Sequence, residues 1–359
     1  MTDKKINRRT ILKGGVAVAG TLALGNLQAL EARPSEERAT LVVFWLNGGP
    51  AGLFNSAHSF LRNGAFGVTE SNVSDLGHGL YVDAGSFGAL PAFARGHMSS
   101  INFRHGITRP HDHARAAVLQ SGSRSQLLRL ASVMPTGPIR CAVVNDLGLP
   151  VGVTANPPPE GGATLERVLD VEAVGRVLRN KRFDEVRKAY GMPLNQTSVR
   201  DQSSTFAATE MLIHAGASVI FAQPAYTGRT DRQFDTHEDE SGTASRAVMA
   251  PITPALAGFL DRTLALQGRN VVTVLVGEFS RTVPKSDHER GGTATVIGKY
   301  VRTGTAGPQN ADGSPPDNAP APEALWAFAS AALRLNVTPF GNNPNPELIL
   351  CTPQVLSAG

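Results

Sequence analysis

Residues 234–240 read FDTHEDE, four carboxylates and an imidazole in one short stretch. In extended chain, residues i and i+2 point to the same side, so Asp235 and His237 can reach one ion together. A second candidate pair, Asp287 and His288, lies in GEFSRTVPKSDHERGG. These two are adjacent and would point apart, which suits two ions, or one ion and one substrate group. A third stretch, HDH, brings His111, Asp112 and His113 together. His111 and His113 are candidates to complete a metal shell or to act as general acid. Mixed carboxylate and imidazole ligands suit Zn²⁺ first, then Mn²⁺ or Fe. Two such ions would clamp a phosphate or sulfate ester and activate a water near neutral pH.

Each stretch also has a plainer reading. DTH can be a turn or a helix N-cap, and Glu238, Asp239 and Glu240 a solvated face. DH can be a solvated loop pair, and His113 a cap or a core residue at the start of a helix. What favours a site is their common placement. The chain has nine histidines, and five (His105, His111, His113, His237 and His288) fall in three loops, each following a strand-like run. In open α/β sheets, ligands bind beyond the carboxyl ends of the strands. Glu278, at the end of a buried strand, is costly unless paired, and Arg281 three residues on is the expected partner.

The elements that must position these residues alternate. Leu41–Leu46 (LVVFWL), Ile101–Arg104, Ile139–Val144, Ser218–Ala222 and Val271–Val276 read as strands, the last being the clearest. Helical patterns cover Ala114 to Leu130, one or two segments within Ala163–Ala189, Thr205–Ala215, Arg246–Leu266 and Ala324–Leu335. Ala306–Glu323 is a Pro/Gly/Asn loop. The alternation predicts an α/β fold with a doubly wound, mostly parallel sheet and helices on both faces, residues 38–359 forming one domain.

The pI of about 9.3 does not point to nucleic acid. Residues 1–32 carry five positive side chains against Asp3 and Glu31, a net of +3; taken from the whole chain's +4, that leaves +1 for the rest. No basic stripe tracks phosphates, so a nucleic-acid partner is not expected. Residues 1–32 instead read as an export signal: NRRTILK with paired Arg8 and Arg9, then an apolar run from Gly14 to Leu24 too short for a bilayer span. The arginine pair resembles a twin-arginine signal, which makes the export machinery a partner and the periplasm or the exterior the destination. No other segment is long and apolar enough to span a membrane. Cys141 and Cys351 sit in apolar runs and could pair or remain free thiols.

The twin-arginine start, LNGG after the first strand, FDTH, GEFSRT and the following DH, in this order, resemble the secreted domain-of-unknown-function family 1501. That family is related to the alkaline phosphatase and sulfatase superfamily. The resemblance covers roughly residues 38–335 and implies an alkaline phosphatase/sulfatase-like fold with a metal site at the strand carboxyl ends. It places Asp235, His237, Asp287 and His288 on metal-ligand positions. Gly49-Pro50-Ala51-Gly52 departs from the family in carrying neither Asp nor Ser, and Glu289 and Arg290 follow DH where the family often has an aromatic. His111 and Asp112 stand where the superfamily's Ser, Thr or Cys nucleophile would be, with Thr108 the nearest hydroxyl. Two functions are thus expected. One is an exported metal-dependent hydrolase of small anionic phosphate or sulfate esters, using an activated water or an unidentified nucleophile. The other is a catalytically silent protein of the same fold that binds or assembles at the cell surface.

Overall fold

In the computed structural model, the described residues are 37–122, 124–135, 137–145, 170–224, 234–336 and 338–351. The expected signal segment 1–32 lies outside them. Among them, no helix is long and apolar enough to cross a membrane. Strands β1 (Arg38–Trp45), β4 (Met98–Arg104), β7 (Ile139–Val144), β8 (Ala217–Ala222), β9 (Arg269–Val276), β12 (Gly291–Ile297) and β13 (Gly304–Thr305) form one sheet. Three two-stranded ribbons pair β2 (Val73–Asp75) with β3 (Tyr81–Asp83), β5 (Gln120–Ser121) with β6 (Arg124–Ser125), and β10 (Ser280–Thr282) with β11 (Asp287–Glu289).

The sheet order is β13-β4-β12-β9-β1-β8-β7. β7, β8, β1 and β9 pair in parallel, and β12 runs antiparallel to both β9 and β4. The fold is therefore α/β with a mostly parallel sheet. Successive side chains of β1 go to opposite faces. Val42 and Phe44 enter one core, and Leu41, Val43 and Trp45 the other. Helices Ala173–Arg179, Gln202–His214 and Ile252–Leu264 cover the first face. Helices His111–Leu119, Gln126–Val133 and Glu323–Ala332 cover the second. Phe44 meets Phe206 at 4.5 Å and Phe259 at 5.2 Å between ring centroids. Full burial of such a side chain contributes about 1.5–3 kcal/mol.

Three local features depart from the sequence pattern. The helical run from Ala114 is two helices, broken after Leu119 by the β5/β6 ribbon and restarted at Gln126 under a Ser125 cap. The run from Arg246 also breaks: helix Thr243–Met249 ends before Pro251, which lacks the N–H that continuation requires and stands instead before Ile252–Leu264. β12 is a strand that GGTATVI conceals, because its two glycines read as loop. The described part of the 163–189 run forms helices Ala173–Arg179 and Asp184–Ala189; its start lies outside the described residues. Cys141 and Cys351 are both free, the first buried and the second exposed, and burial pushes the Cys141 thiol up to about 12.

On the first face, a buried carboxylate pairs with a partly exposed arginine. Glu210, its side chain 1% exposed, accepts Arg262 Nη2 at 2.6 Å, Arg262 Nε at 2.9 Å and Tyr190 Oη at 2.7 Å, with His214 Nε2 at 3.4 Å. Burial pushes its pKa up, but His214, Arg262 and Tyr190 outweigh this and hold it at about 2. A depressed carboxylate pKa means stability that is present above about 4.5 and lost as pH falls toward 2. Allowing for screening at the partly exposed Arg262, the pair is worth about 2 kcal/mol. Urea unfolding of wild type should lose about that much between pH 5 and pH 2, and Glu210→Gln should show a flatter acid limb and a lower starting stability. An unchanged acid limb in the variant would contradict the assignment.

Candidate metal centre

The sheet brings three chain segments to one place. β1 and β9 pair in register up to Trp45 opposite Val276, so the loops Asn47-Gly48-Gly49 and Gly277-Glu278 leave the sheet side by side. Gly48 has φ +100° and lies so close to the third segment that a Cβ there would meet Asp235 N at 2.3 Å. Phe234 N–H donates to the Asn47 carbonyl at 2.8 Å, and Phe234 is fully buried, which anchors the segment that carries Asp235. In the β10/β11 ribbon Arg281 stands directly opposite His288, so both side chains lie on one face.

These elements converge on a single oxygen. Asp235 Oδ1 lies 2.9 Å from His237 Nε2, 3.1 Å from His288 Nε2, 2.8 Å from Arg281 Nη2 and 3.6 Å from His111 Nε2. The Asp235 side chain is only 7% exposed. His111, Asp235 and His288 each offer a ligand atom within 4.8 Å of the others, and among the described residues this is the one such group. His288 stacks on Phe279 with ring centroids 4.4 Å apart and a 5° interplanar angle, which fixes its plane.

Charge is distributed unevenly over these groups. Burial pushes the Asp235 pKa up, yet His111, His288 and Arg281 overcome this and hold the carboxyl far below its usual range. Hydrogen bonding to Asp235 and to Glu278 raises His111 to about 9 against the opposing effect of burial. His288 is lowered, by burial first and then by the nearby cations Arg281 and His111, with Asp235 opposing. Two adjacent imidazolium ions repel, so the same proximity that leaves His111 raised helps to lower His288.

Glu278 does not pair with Arg281 as its spacing predicted. Its Oε1 accepts His111 Nδ1 at 2.8 Å and Gly48 N–H at 2.9 Å. Arg281, 0% exposed at its side chain, turns instead to Asp235 and to the carbonyls of Gly48, Gly49 and Ser286. The reason is geometric: Arg281 shares a ribbon face with His288, which faces Asp235. His105 also serves this loop. Ile107 N–H donates to its Nδ1 at 3.0 Å, so its Nε2–H donates to the Glu278 carbonyl at 2.7 Å.

Of the residues the sequence singled out, Asp235, His237, His288 and His111 meet. His111 lies within the cluster rather than at a separate catalytic position. Asp287 is not brought in. It precedes His288 and lies on the opposite face of the ribbon, is 47% exposed, takes its neighbour's backbone N–H at 2.9 Å and faces Arg109 at 3.7 Å. His113 is exposed, one turn position away from the inward face that His111 presents. Of the following carboxylates, Glu238 and Glu240 are exposed, but Asp239 is buried and accepts the Ala244 and Ser245 N–H groups at the start of helix Thr243–Met249. Glu278 as partner of His111 had no sequence signal beyond its position at a strand end. Arg115, one helical turn past His111, donates through Nη2 to Asn47 Oδ1 at 2.7 Å, and its buried Nε has no partner.

The donor set fits one ion. Ligand atoms of a tetrahedral zinc with bonds of about 2.0–2.1 Å lie roughly 3.3 Å apart. The separations of 3.1 and 3.6 Å between Asp235 Oδ1 and the Nε2 atoms of His288 and His111 bracket that value. His111 Nε2 is buried and its contact with Asp235 Oδ1 is a long one of 3.6 Å, so an ion held between them would complete the coordination of both. The guanidinium of Arg281 counts against a second ion, since it already takes the charge a further cation would share.

No family model matches the chain, and no curated protein matches it. Among solved structures, one similar chain is described as the crystal structure of Ps i-CgsB in complex with k-i-k-neocarrahexaose. It is 11% identical, the superposition covers 86% of this chain and 75% of that one, and the TM-score is 0.37. A likeness that loose carries no argument about the site.

Proposed function

We propose that this protein is an exported, single-metal hydrolase of small phosphate or sulfate esters, with an alkaline phosphatase/sulfatase-like architecture. The observation that carries the reading is the convergence of three imidazole Nε2 atoms on one buried carboxylate oxygen. Asp235, His288 and His111 would hold the ion, zinc first by donor type and Mn or Fe next, with His237 beside Asp235 on the solvent side and outside that ligand set. When bound, such an ion supplies Lewis-acid polarisation of the ester's phosphoryl or sulfuryl oxygen.

The chain's own groups do the rest. Arg115 and Arg109 place positive charge beside the cluster and favour an anionic substrate. Buried Arg281 keeps Asp235 ionised and fixed. His237, with a side chain 44% exposed, sits where it can hand a proton to a departing alkoxide or take one from water. Of the two roles open to His111 and His113, His111 takes the place in the ligand set, and the general-acid role falls to His237 because His113 is exposed outside the cluster. The twin-arginine signal supports export to the periplasm or beyond; the cargo of that route folds first, which agrees with loading an ion before transport.

A second reading keeps the fold and drops the chemistry. It is favoured by Arg281, an internal cation already bonded to the central carboxylate. Elemental analysis separates the two together with a turnover screen. Protein as isolated, or reconstituted with Zn²⁺ or Mn²⁺, should carry about one ion per chain. It should hydrolyse aryl phosphates or aryl sulfates, and His288→Ala should abolish turnover. No ion after reconstitution would overturn the hydrolase; turnover lost in His288→Ala would overturn the silent protein.

A further inference from the structure

Glu278 is the one carboxylate at this centre that touches a candidate ligand from behind. It lies two residues past the end of β9, its side chain is 0% exposed, and no cationic side chain of Lys or Arg bonds it. Its Oε1 receives two donors, the His111 Nδ1–H and the Gly48 N–H, and its Oε2 is buried without a hydrogen-bond partner. A buried carboxylate so placed is costly, so its retention calls for a compensating role. His105 locks the Glu278 backbone through the carbonyl, and Gly48 locks the side chain, so the carboxylate is a fixed point and not a mobile one.

The consequence for His111 is directional. An imidazole that gives its Nδ1–H to a fixed oxygen must turn Nε2 the other way, and here that direction leads to Asp235 Oδ1 and to the His288 ring, 4.4 Å away. Phe279, edge-on to His111 at 5.1 Å, limits rotation out of that plane. A ligating imidazole whose far nitrogen is held by a carboxylate is oriented, set in one tautomer and made more basic.

We propose that Glu278 is a positioning residue that aims the His111 Nε2 lone pair into the centre and thereby sets the centre's affinity for its ion. This rests on the single-metal reading. It extends that reading by placing control of the site in the loop that leaves β9, outside the ligand set. Glu278 touches neither substrate nor ion and acts through His111.

Two measurements on the full chain test it. The first is zinc affinity by competition with a chromophoric chelator for wild type, Glu278→Gln and Glu278→Ala, with Asp287→Asn as a control outside the cluster. Loss of an outer carboxylate should weaken binding roughly 10–100-fold in Glu278→Ala and less in Glu278→Gln, which keeps an acceptor oxygen. Asp287→Asn should stay within about twofold of wild type. The second readout needs no ion: the His111 Nδ1 proton, followed by ¹⁵N-edited NMR in zinc-free protein. It should be downfield and slow to exchange in wild type, and should move upfield in Glu278→Gln because a neutral acceptor bonds it more weakly. Should Glu278→Ala fail to fold, Glu278→Gln decides both readouts. An unmoved imidazole proton, or wild-type zinc affinity in both variants, overturns the proposal. Wild type that binds no zinc while the proton still moves overturns the metal reading and leaves the orienting role standing.

Discussion

Asp235→Asn is expected to lower zinc affinity by more than about 100-fold, beyond the loss seen when only an outer partner of a ligand is removed. Asparagine keeps the size and one acceptor oxygen but not the charge. Three imidazoles and a guanidinium converge on that oxygen, so no neighbouring group can substitute. The variant should also be less stable without any ion. Arg281 has a side chain that is 0% exposed and keeps hydrogen bonds to the Gly48, Gly49 and Ser286 carbonyls, yet it would lose its only bonded carboxylate. Leaving a buried charge uncompensated costs about 3–5 kcal/mol. Urea unfolding of chelator-treated protein reads the second effect, and competition titration reads the first. His113→Ala, at an exposed position outside the cluster, should change neither. Equal zinc affinity in Asp235→Asn and wild type would remove Asp235 from the ligand set.

Gly48→Ala should be nearly as damaging, through the backbone. Gly48 has φ +100°, and an added Cβ would lie 2.3 Å from Asp235 N and 2.7 Å from Phe234 C. Neither is a flexible side-chain tip that could swing away. Left-handed backbone costs an L-residue about 1–2 kcal/mol, and forced overpacking about 1–3 kcal/mol more. The same glycine gives its N–H to Glu278 and its carbonyl to Arg281, so any shift pulls on both supports of the centre. The expected total is about 2–5 kcal/mol, with weakened zinc binding in whatever folds. Gly64→Ala isolates the conformational part: Gly64 has φ +66° and nothing within 4 Å of the added carbon, so only about 1 kcal/mol should be lost. Equal unfolding midpoints for the two variants would show that close approach to Asp235 is not what demands glycine here.

Much of this architecture was legible from pattern. Continuous apolar runs such as VVTVLV marked strands buried on both faces, because a strand covered on each side has no polar alternation to hide it. β12 escaped because its glycines and threonines face a covered sheet yet read as a loop. At the centre, Asp235 and His288 were legible as residue types following strands. His237 was legible as the i+2 neighbour of Asp235. The exclusion of Asp287 was not, because it depends on the register of the β10/β11 ribbon, which sets Arg281 and not Thr282 opposite His288. The partner of Glu278 was hidden for the same kind of reason: three residues separate it from Arg281 in sequence, while His111 reaches it only after the sheet has formed. Asp239 looked like part of a solvated acidic face and is a buried acceptor for helix N–H groups, a distinction made by tertiary placement alone.

The central position of β1 has a consequence for how the chain is made. Its neighbours are β8 and β9, with Leu41 beside Val219 and Trp45 beside Val276. β1 therefore has its β8 edge vacant until the chain has grown past Ala222 and its β9 edge vacant until it has grown past Val276. At synthesis rates of about 5–20 residues per second, that interval is on the order of ten to fifty seconds. During it LVVFW is an unsatisfied, sticky template, and a holding chaperone is the simplest guard against its pairing with another nascent copy.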